Sequence, residues 1–456
     1  MIKLSFYIDN ELIVHKKQNN SLFEKIQNKI KNQAEDGLFG AALRALFARA
    51  GAAGIALILQ VQLARLLGAT EYGLFSFAWV LILAFGFPST LGFGYSVTRF
   101  MSEGFATGKH ALIRGVKLRS QQVSLIAGTI FALLIWLIIS IWPSLIDAPA
   151  MPAVLISLII LPFFALSEVQ MGIAQSRSWT LVALVPPYII RQIFILIFVL
   201  VAVFLMDMNP TSQMAMIATL IATIICVIGH HFLLAYKLSP ILPKGSNEYE
   251  DRKWFKTSLP LFLSDSAHHA LTHADILILG FFLTTGAVTA ADVGIYFAVT
   301  RLIGLLSFFD RAVSNAAGQR YAGLIAEGKQ NELRPFYNQT RLWVLIPTVI
   351  TAFFLILLDD FLLGIFGSEF QKGGEVLFIL LLAPLSVALV GPAEALFSLT
   401  GGEKQSFISF LIALVTNIIL NIILIPMMGI LGAAIATAAS QILRSAFLYY
   451  YILKRY

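Results

Sequence analysis

Charged residues are scarce in this chain of 456 residues. They make up 12% of it, while hydrophobic residues reach 58% and mean hydropathy is +0.82. Soluble domains carry about 25% charged residues, so a set of soluble domains is excluded and a polytopic membrane protein is implied. Cysteine is scarcer still. The single Cys226 excludes an internal disulfide and says little about redox compartment. Residues 1–36 contain no apolar run of signal-peptide length, so no cleavable leader is expected. Long polar segments are missing too: the longest external loop on the map below is 359–375, and nothing outside the membrane can fold alone.

What the chain does have is a series of apolar runs of about 20 residues, the length that spans a bilayer. They fall near 41–66, 74–97, 122–142, 152–172, 181–206, 212–233, 257–283, 294–317, 340–366, 375–399, 405–427 and 429–452, giving an all-α polytopic membrane protein with twelve expected helices. The net charge of +7 tests this count, because cytoplasmic loops collect Lys and Arg. With both termini cytoplasmic, tails and cytoplasmic loops take about 26 of the 32 Lys and Arg. External loops take Arg65 and Lys372, and Arg44, Arg49, Arg191 and Arg301 lie within spans. The basic balance is therefore read as topology and not as a nucleic-acid surface. The tail at 1–37 has Leu22, Phe23, Ile26 and Ile30 at helical spacing opposite Lys25, Lys29 and Lys31. It reads either as a helix lying on an anionic membrane surface or as a loosely ordered cytoplasmic tail.

The two halves echo each other. Gly73-Leu74-Phe75 matches Gly294-Ile295-Tyr296 and Arg99-Phe100 matches Arg320-Tyr321, both at an offset of 221. Later, Glu168 matches Glu394 and Arg191 falls on Asn417, at an offset of 226. An offset of six helices preserves orientation, so the expected architecture is two pseudo-symmetric six-helix lobes around a central cavity. The expected divisions are 38–235 for the first lobe, 236–256 for a cytoplasmic linker and 257–456 for the second lobe.

The seventh span is unlike the others. Its ends are apolar, but its middle reads SDSAHHALTHAD, with Asp265, His268, His269, His273 and Asp275. At about 100° per residue the polar groups cover half the helix circumference. A charge at mid-bilayer costs at least about 2.5–3.5 kcal/mol, so this arc must line a wet interior. His269 and His273 with Asp265 have metal-ligand spacing, but no fourth ligand or catalytic motif accompanies them. Protonation switching suits histidines between carboxylates better, and hydrogen bonding inside the bundle is the plain structural alternative.

Several stretches resemble a known family. Ala64-Arg65-Leu66-Leu67-Gly68-Ala69-Thr70-Glu71-Tyr72-Gly73-Leu74-Phe75 is similar to the signature after the first helix of bacterial polysaccharide and O-antigen flippases, members of the multidrug/oligosaccharidyl-lipid/polysaccharide exporter superfamily. Asp275-Ile276-Leu277-Ile278-Leu279-Gly280 with Val293-Gly294-Ile295-Tyr296 resembles its seventh-to-eighth helix junction, and Asn421 to Pro426 with Gly429 and Gly432 its last turn. The resemblance implies transport of an undecaprenyl-diphosphate-linked oligosaccharide to the outer leaflet of a bacterial inner membrane, drawing on an ion gradient, in lipopolysaccharide or other polysaccharide synthesis. It implies membrane lipids, a polymerase and chain-length machinery as partners, no nucleic acid, no cofactor and no enzymatic step. A multidrug exporter of the same superfamily is the main alternative. A membrane polymerase or ligase, which needs a large external loop, is the other.

Arginine binds phosphate oxygens through paired bonds. Arg49 and Arg191, roughly 12–15 Å into the membrane at 1.5 Å per residue, suit a diphosphate. Arg44 either joins them or snorkels to the interface. Arg301 is read as a second anion contact or a partner for Asp275. Glu168 and Glu394 occupy equivalent places in the fourth and tenth helices, as interfacial carboxylates or as gates. Asp275 with His268, His269, His273 and Asp265 forms the expected ion-coupling chain, for protons or for sodium. Pro186-Pro187, Pro384 and Pro392 permit bends.

Overall fold

The computed structural model describes residues 51–455; the tail at 1–37, Arg44 and Arg49 lie outside the described residues. The compact unit treated below is Gly54–Tyr456. Among the described residues the regular structure is entirely helical. Residues 51–86 form α1, which reverses at Gly68, where φ is +72°. The reversal brings the Tyr72 hydroxyl to Gln60 Oε1 at 2.9 Å, although a straight helix would hold residues twelve apart separated by about 18 Å. The elements that follow are α2 (Phe93–Thr107), α3 (His110–Ile141), α4 (Met151–Gln175), α5 (Thr180–Val185), α6 (Arg191–Phe204) and α7 (Ser212–Leu238). The second half holds α8 (Asp251–Phe282), α9 (Ala290–Ile303), α10 (Ser307–Ala326), α11 (Gln330–Leu357), α12 (Asp359–Gly364), α13 (Gly374–Val390), α14 (Ala393–Leu399), α15 (Glu403–Met428) and α16 (Ile430–Arg455).

Among the described residues ten helical stretches are long and apolar enough to cross a membrane. The first of them, Gly51–Thr107, folds back at Gly68 and so holds two spans. α8 has the length but not the hydropathy, because of its polar middle; with it the twelve expected spans are accounted for. The outward faces carry large apolar side chains, including Ile126 at 58%, Leu133 at 56% and Phe353 at 60% exposure. In water such a belt would be an aggregation surface; in lipid it is the solvent-matched face.

Proline and glycine set the breaks. The second span is interrupted between α1 and α2, where Leu91 and Gly92 take left-handed φ of 48° and 78°. The eighth breaks between α9 and α10 at residues 304–306, a few residues before the place that corresponds under the 221 offset. Pro186-Pro187 produce one π-helical turn between α5 and α6, the usual consequence of lost backbone donors. Gly391, with φ of 75° and ψ of −157°, and Pro392 part α13 from α14.

The apolar core divides unevenly along the membrane normal. One large cluster joins both halves at one end, running through Leu63, Phe75 and Val80 of α1, Phe164, Ile195, Leu279, Tyr296, Phe297, Phe366 and Leu377. At the other end the clusters are separate. One is built on Phe93, Met101, Ile113, Ile173 and Leu238 with Trp254; the other on Tyr321, Tyr337, Leu396, Phe397 and Leu448. The halves are therefore sealed at one end and parted at the other, where the first turns of α8 cross to the first half.

At the sealed end the internal repeat becomes a contact. A Cβ on Gly73 would fall on the carbonyl oxygen of Ala290, and a Cβ on Gly294 would fall on the carbonyl oxygen of Ala69. Residues 69 and 73 correspond to 290 and 294 under the offset of 221. The contact is thus reciprocal, as at an interface with two-fold symmetry. The signature around Gly68 latches the same end. Arg65 Nε donates to the Ile365 carbonyl at 2.6 Å. The Ala69 amide donates to Glu369 at 3.1 Å, and Glu71 accepts from the Ser212 amide at the start of α7 at 2.6 Å.

Candidate functional site

α8 lies between the halves and carries the polar arc. Its first turns pack on the first half: Trp254 is buried there, and Ser258 shares a buried 2.6 Å hydrogen bond with Ser96. Further along, Tyr95 donates to Asp265 Oδ1 at 3.3 Å, and His269 Nε2 stands 3.6 Å from the same carboxylate oxygen. The His269 ring stacks on Phe87, in the break of the second span, at 3.8 Å and 7°. His273 stacks beyond it at 6.0 Å, and His268 points to a more exposed place against Phe410. Asp265, His269 and His273, each four residues from the next, thus form one row along α8. The described residues contain no group of three or more metal-ligating side chains.

Asp275, two residues beyond His273 and so on another face of α8, is buried. Its Oδ2 accepts from the Tyr296 hydroxyl of α9 at 2.6 Å and from Thr437 Oγ1 of α16 at 3.4 Å, and its Oδ1 accepts from the Ile276 amide at 2.8 Å. Thr437 also accepts from Asn417 Nδ2 of α15 at 3.2 Å, and Asn421 Nδ2 donates to Asn417 Oδ1 at 2.9 Å. Four helices thus place a carboxylate, two hydroxyls and two amides together, all in the second half of the chain. Asn421 Oδ1 is buried and makes no hydrogen bond among the described residues. Arg301 does not pair with Asp275. Its guanidinium lies over the Phe297 ring at 4.0 Å, and its Nε has no hydrogen-bond partner.

Arg191 starts α6 just after the π-helical turn and is 3% exposed. It sits over the rings of Trp79 and Phe164 at 5.7 and 5.2 Å, and its Nε and Nη1 lack hydrogen-bond partners. Glu168 of α4 is buried with Oε1 unbonded, and Arg191 and Asp265 are its charged neighbours. Glu394, its counterpart in the repeat, has different surroundings. It lies half-exposed on α14, beyond the Gly391 break, and forms an ion pair with Arg444 of α16. An uninterrupted α4 on one side and a broken span on the other account for the difference.

Arg444 is absent from the four within-span arginines of the sequence reading. The structure places it inside α16, 7% exposed, with its guanidinium 3.8 Å over the Phe410 ring. The signal was available: Arg444 falls between apolar residues of the 429–452 run, but its nearness to the chain end reads as a loop charge. With Asp310 and Arg311 of α10 it lines a cavity of about 800 Å³ at the parted end of the second half. The bonding partners of Asp275, Tyr296 and Thr437, and Asn417 behind Thr437, were likewise not read as site residues, because a lone hydroxyl or amide in an apolar run carries no local signal.

A family model described as polysaccharide biosynthesis protein matches residues 45–313. A probable low-salt glycan biosynthesis flippase, Agl15, from Haloferax volcanii is 31% identical over 213 residues, which cover 45% of this chain and 42% of that one. The chain thus spans under half the length of the curated relatives it matches. Among solved structures, an inward-facing multidrug resistance MATE family transporter of the MOP superfamily superimposes with a TM-score of 0.71 at 15% identity, over 89% of this chain and 94% of that chain. The lipid II flippase MurJ in an inward closed conformation gives 0.68 at 16%, over 90% and 87%. At such identities these likenesses establish the fold.

Proposed function

The chain belongs to the polysaccharide biosynthesis protein family, and on that premise we propose that it is a flippase for a lipid-linked oligosaccharide, working by alternating access. The substrate class is a glycan on a polyprenyl diphosphate, undecaprenyl in a bacterial O-antigen or lipopolysaccharide setting. The direction is from the cytoplasmic to the outer leaflet of the cytoplasmic membrane. The parted end faces the cytoplasm on this reading: of the described basic residues, Arg65 and Lys372 lie at the sealed end, while Lys109, Arg114, Arg177, Lys244, Arg320 and Lys329 lie at the other.

The observation that carries the substrate class is the pair Arg191 and Arg301. These guanidinium groups stand in opposite halves, within membrane-spanning helices, and neither is in an ion pair among the described residues. Unpaired cations at membrane depth are expensive, and they suit a passing anion better than a cationic drug. Arg49 and Arg44 are proposed to add to the same set from the first span. Glu168 and Glu394 are the proposed gating carboxylates, and the Asp275 group with Asp265, His268, His269 and His273 the proposed coupling site.

The test is reconstitution. In vesicles holding a fluorescent polyprenyl-diphosphate oligosaccharide, the protein should expose the inner-leaflet fraction to a membrane-impermeant quencher, and a cationic dye should not be moved. The opposite pattern would favour a multidrug exporter. Replacing Arg191 by alanine should slow flipping about ten- to a hundredfold, the worth of a charge-assisted bond, with lysine restoring part of it because it loses paired geometry. Unchanged flipping would leave Arg191 a packing residue. For topology, cysteines placed at Ser144 and Thr289 should react with an impermeant reagent added outside intact cells, and one at Ser246 should not. Reversed labelling would overturn the assignment of sides.

A further inference from the structure

The cavity at the parted end has a balanced lining. Arg311 and Arg444 are opposed there by Asp310 and Glu394, with Asn315 and Gln319 between them. A site of this composition has no net call for an anion. The two partners of its ion pair are nevertheless unequal. The Arg444 side chain is 8% exposed and cannot leave: it is threaded into α16 and covered by the Phe410 ring. The Glu394 side chain is 50% exposed, at the cavity mouth, and returns to water without large desolvation. It also stands three residues beyond Gly391, whose backbone angles are open to glycine alone, so it rides on a short helix separated from α13 by a joint. The arginine is fixed and the carboxylate is detachable.

We propose that Arg444 is a further residue that receives the diphosphate of the substrate, in addition to Arg191 and Arg301, and that Glu394 occupies it in the empty carrier as an internal substitute for that anion. The inference rests on the lipid-linked-glycan reading above and assigns that substrate a place in the second half of the chain. Arg444 Nε and Nη2 are buried and make no hydrogen bond in this state, Nη2 meeting Glu394 as an ion pair alone, so a phosphate can use donors that the carboxylate leaves idle. A guanidinium offers five donors in a planar fork, and a diphosphate meets two edges of it where one carboxylate meets one. Arg311, whose Nη2 donates to Ser307 Oγ at 2.8 Å, is within the same lining and supplies the second positive charge. Once Glu394 is displaced, the lining changes from neutral to net positive. Loading then frees α14 from α16 at the parted end, so that occupancy is coupled to the joint at Gly391. The empty carrier keeps its buried charge neutralised, as an unpaired arginine there would be costly.

The experiment uses the full chain in nanodiscs and farnesyl diphosphate as the probe. Because Glu394 competes with the ligand, Glu394→Gln should tighten binding about three- to tenfold. Arg444→Ala should weaken it at least about thirtyfold, and Arg444→Lys should fall between. Unchanged or weaker binding by a correctly folded Glu394→Gln protein would overturn the proposal and leave the pair a structural strut, while the flippase reading stood if the native chain still moved its glycan lipid. Failure of the native chain to bind farnesyl diphosphate would overturn the proposal, while the flippase reading would stand or fall on the flipping assay. Inorganic pyrophosphate binding as tightly as the farnesyl compound would assign the site to free anions and overturn its assignment to the lipid headgroup.

Discussion

A Gly73→Val protein is expected to reach the membrane in normal amounts and to have lost nearly all transport. The added side chain would overlap the Ala290 carbonyl, and backbone cannot give way as a flexible side chain can. Overpacking of this kind costs about 1–3 kcal/mol. In the alternating-access reading that cost falls only on the state sealed at this end, and it moves the balance of states roughly five- to a hundred-and-fiftyfold. Gly294→Val should do the same through the Ala69 carbonyl, and the double variant should add little, since both act on one contact. The measurement is reaction of a cysteine at Phe297, fully buried at the sealed end, with an impermeant reagent, after Cys226 has been replaced. The glycine variants should raise labelling from that side. Normal transport with unchanged labelling would show that the two backbones need not meet during the cycle.

The second large effect is expected at Asp275. Asparagine keeps the shape and can still accept from Tyr296 and Thr437, but it removes the charge. If this group couples transport to an ion, the Asp275→Asn carrier should equilibrate substrate between leaflets and lose all response to an imposed gradient. One ion moving through 100 mV carries about 2.3 kcal/mol, enough for roughly fiftyfold accumulation, so the difference is easily read in vesicles. Varying the pH gradient and sodium separately decides the ion. The ladder through His273 and His269 toward Asp265 favours protons. The hydroxyl and amide oxygens of Tyr296, Thr437, Asn417 and Asn421 favour sodium. A variant that kept the full gradient response would reduce the whole arc to a set of structural hydrogen bonds.

Much of this molecule is written locally. Spans are about 20 residues long whatever surrounds them, so their number could be counted from apolar runs, and the skew of lysine and arginine ordered them without reference to packing. The polar arc of α8 was equally legible, because helical periodicity assigns faces from spacing alone. The repeat showed in Gly73-Leu74-Phe75 and Gly294-Ile295-Tyr296, although nothing in those letters says that the two glycines touch. Tertiary structure alone decided that, as it decided which end of the bundle is sealed. It also chose partners: Asp275 with Tyr296 and Thr437, and not Arg301; Glu394 with Arg444, and Glu168 with no matching pair. The physical reason is common to all of these. Burial in lipid and helix periodicity act on neighbouring residues, whereas a buried charge is satisfied by whichever helix packing brings within about 3 Å, and the partners of Asp275 lie 21 and 162 positions away along the chain.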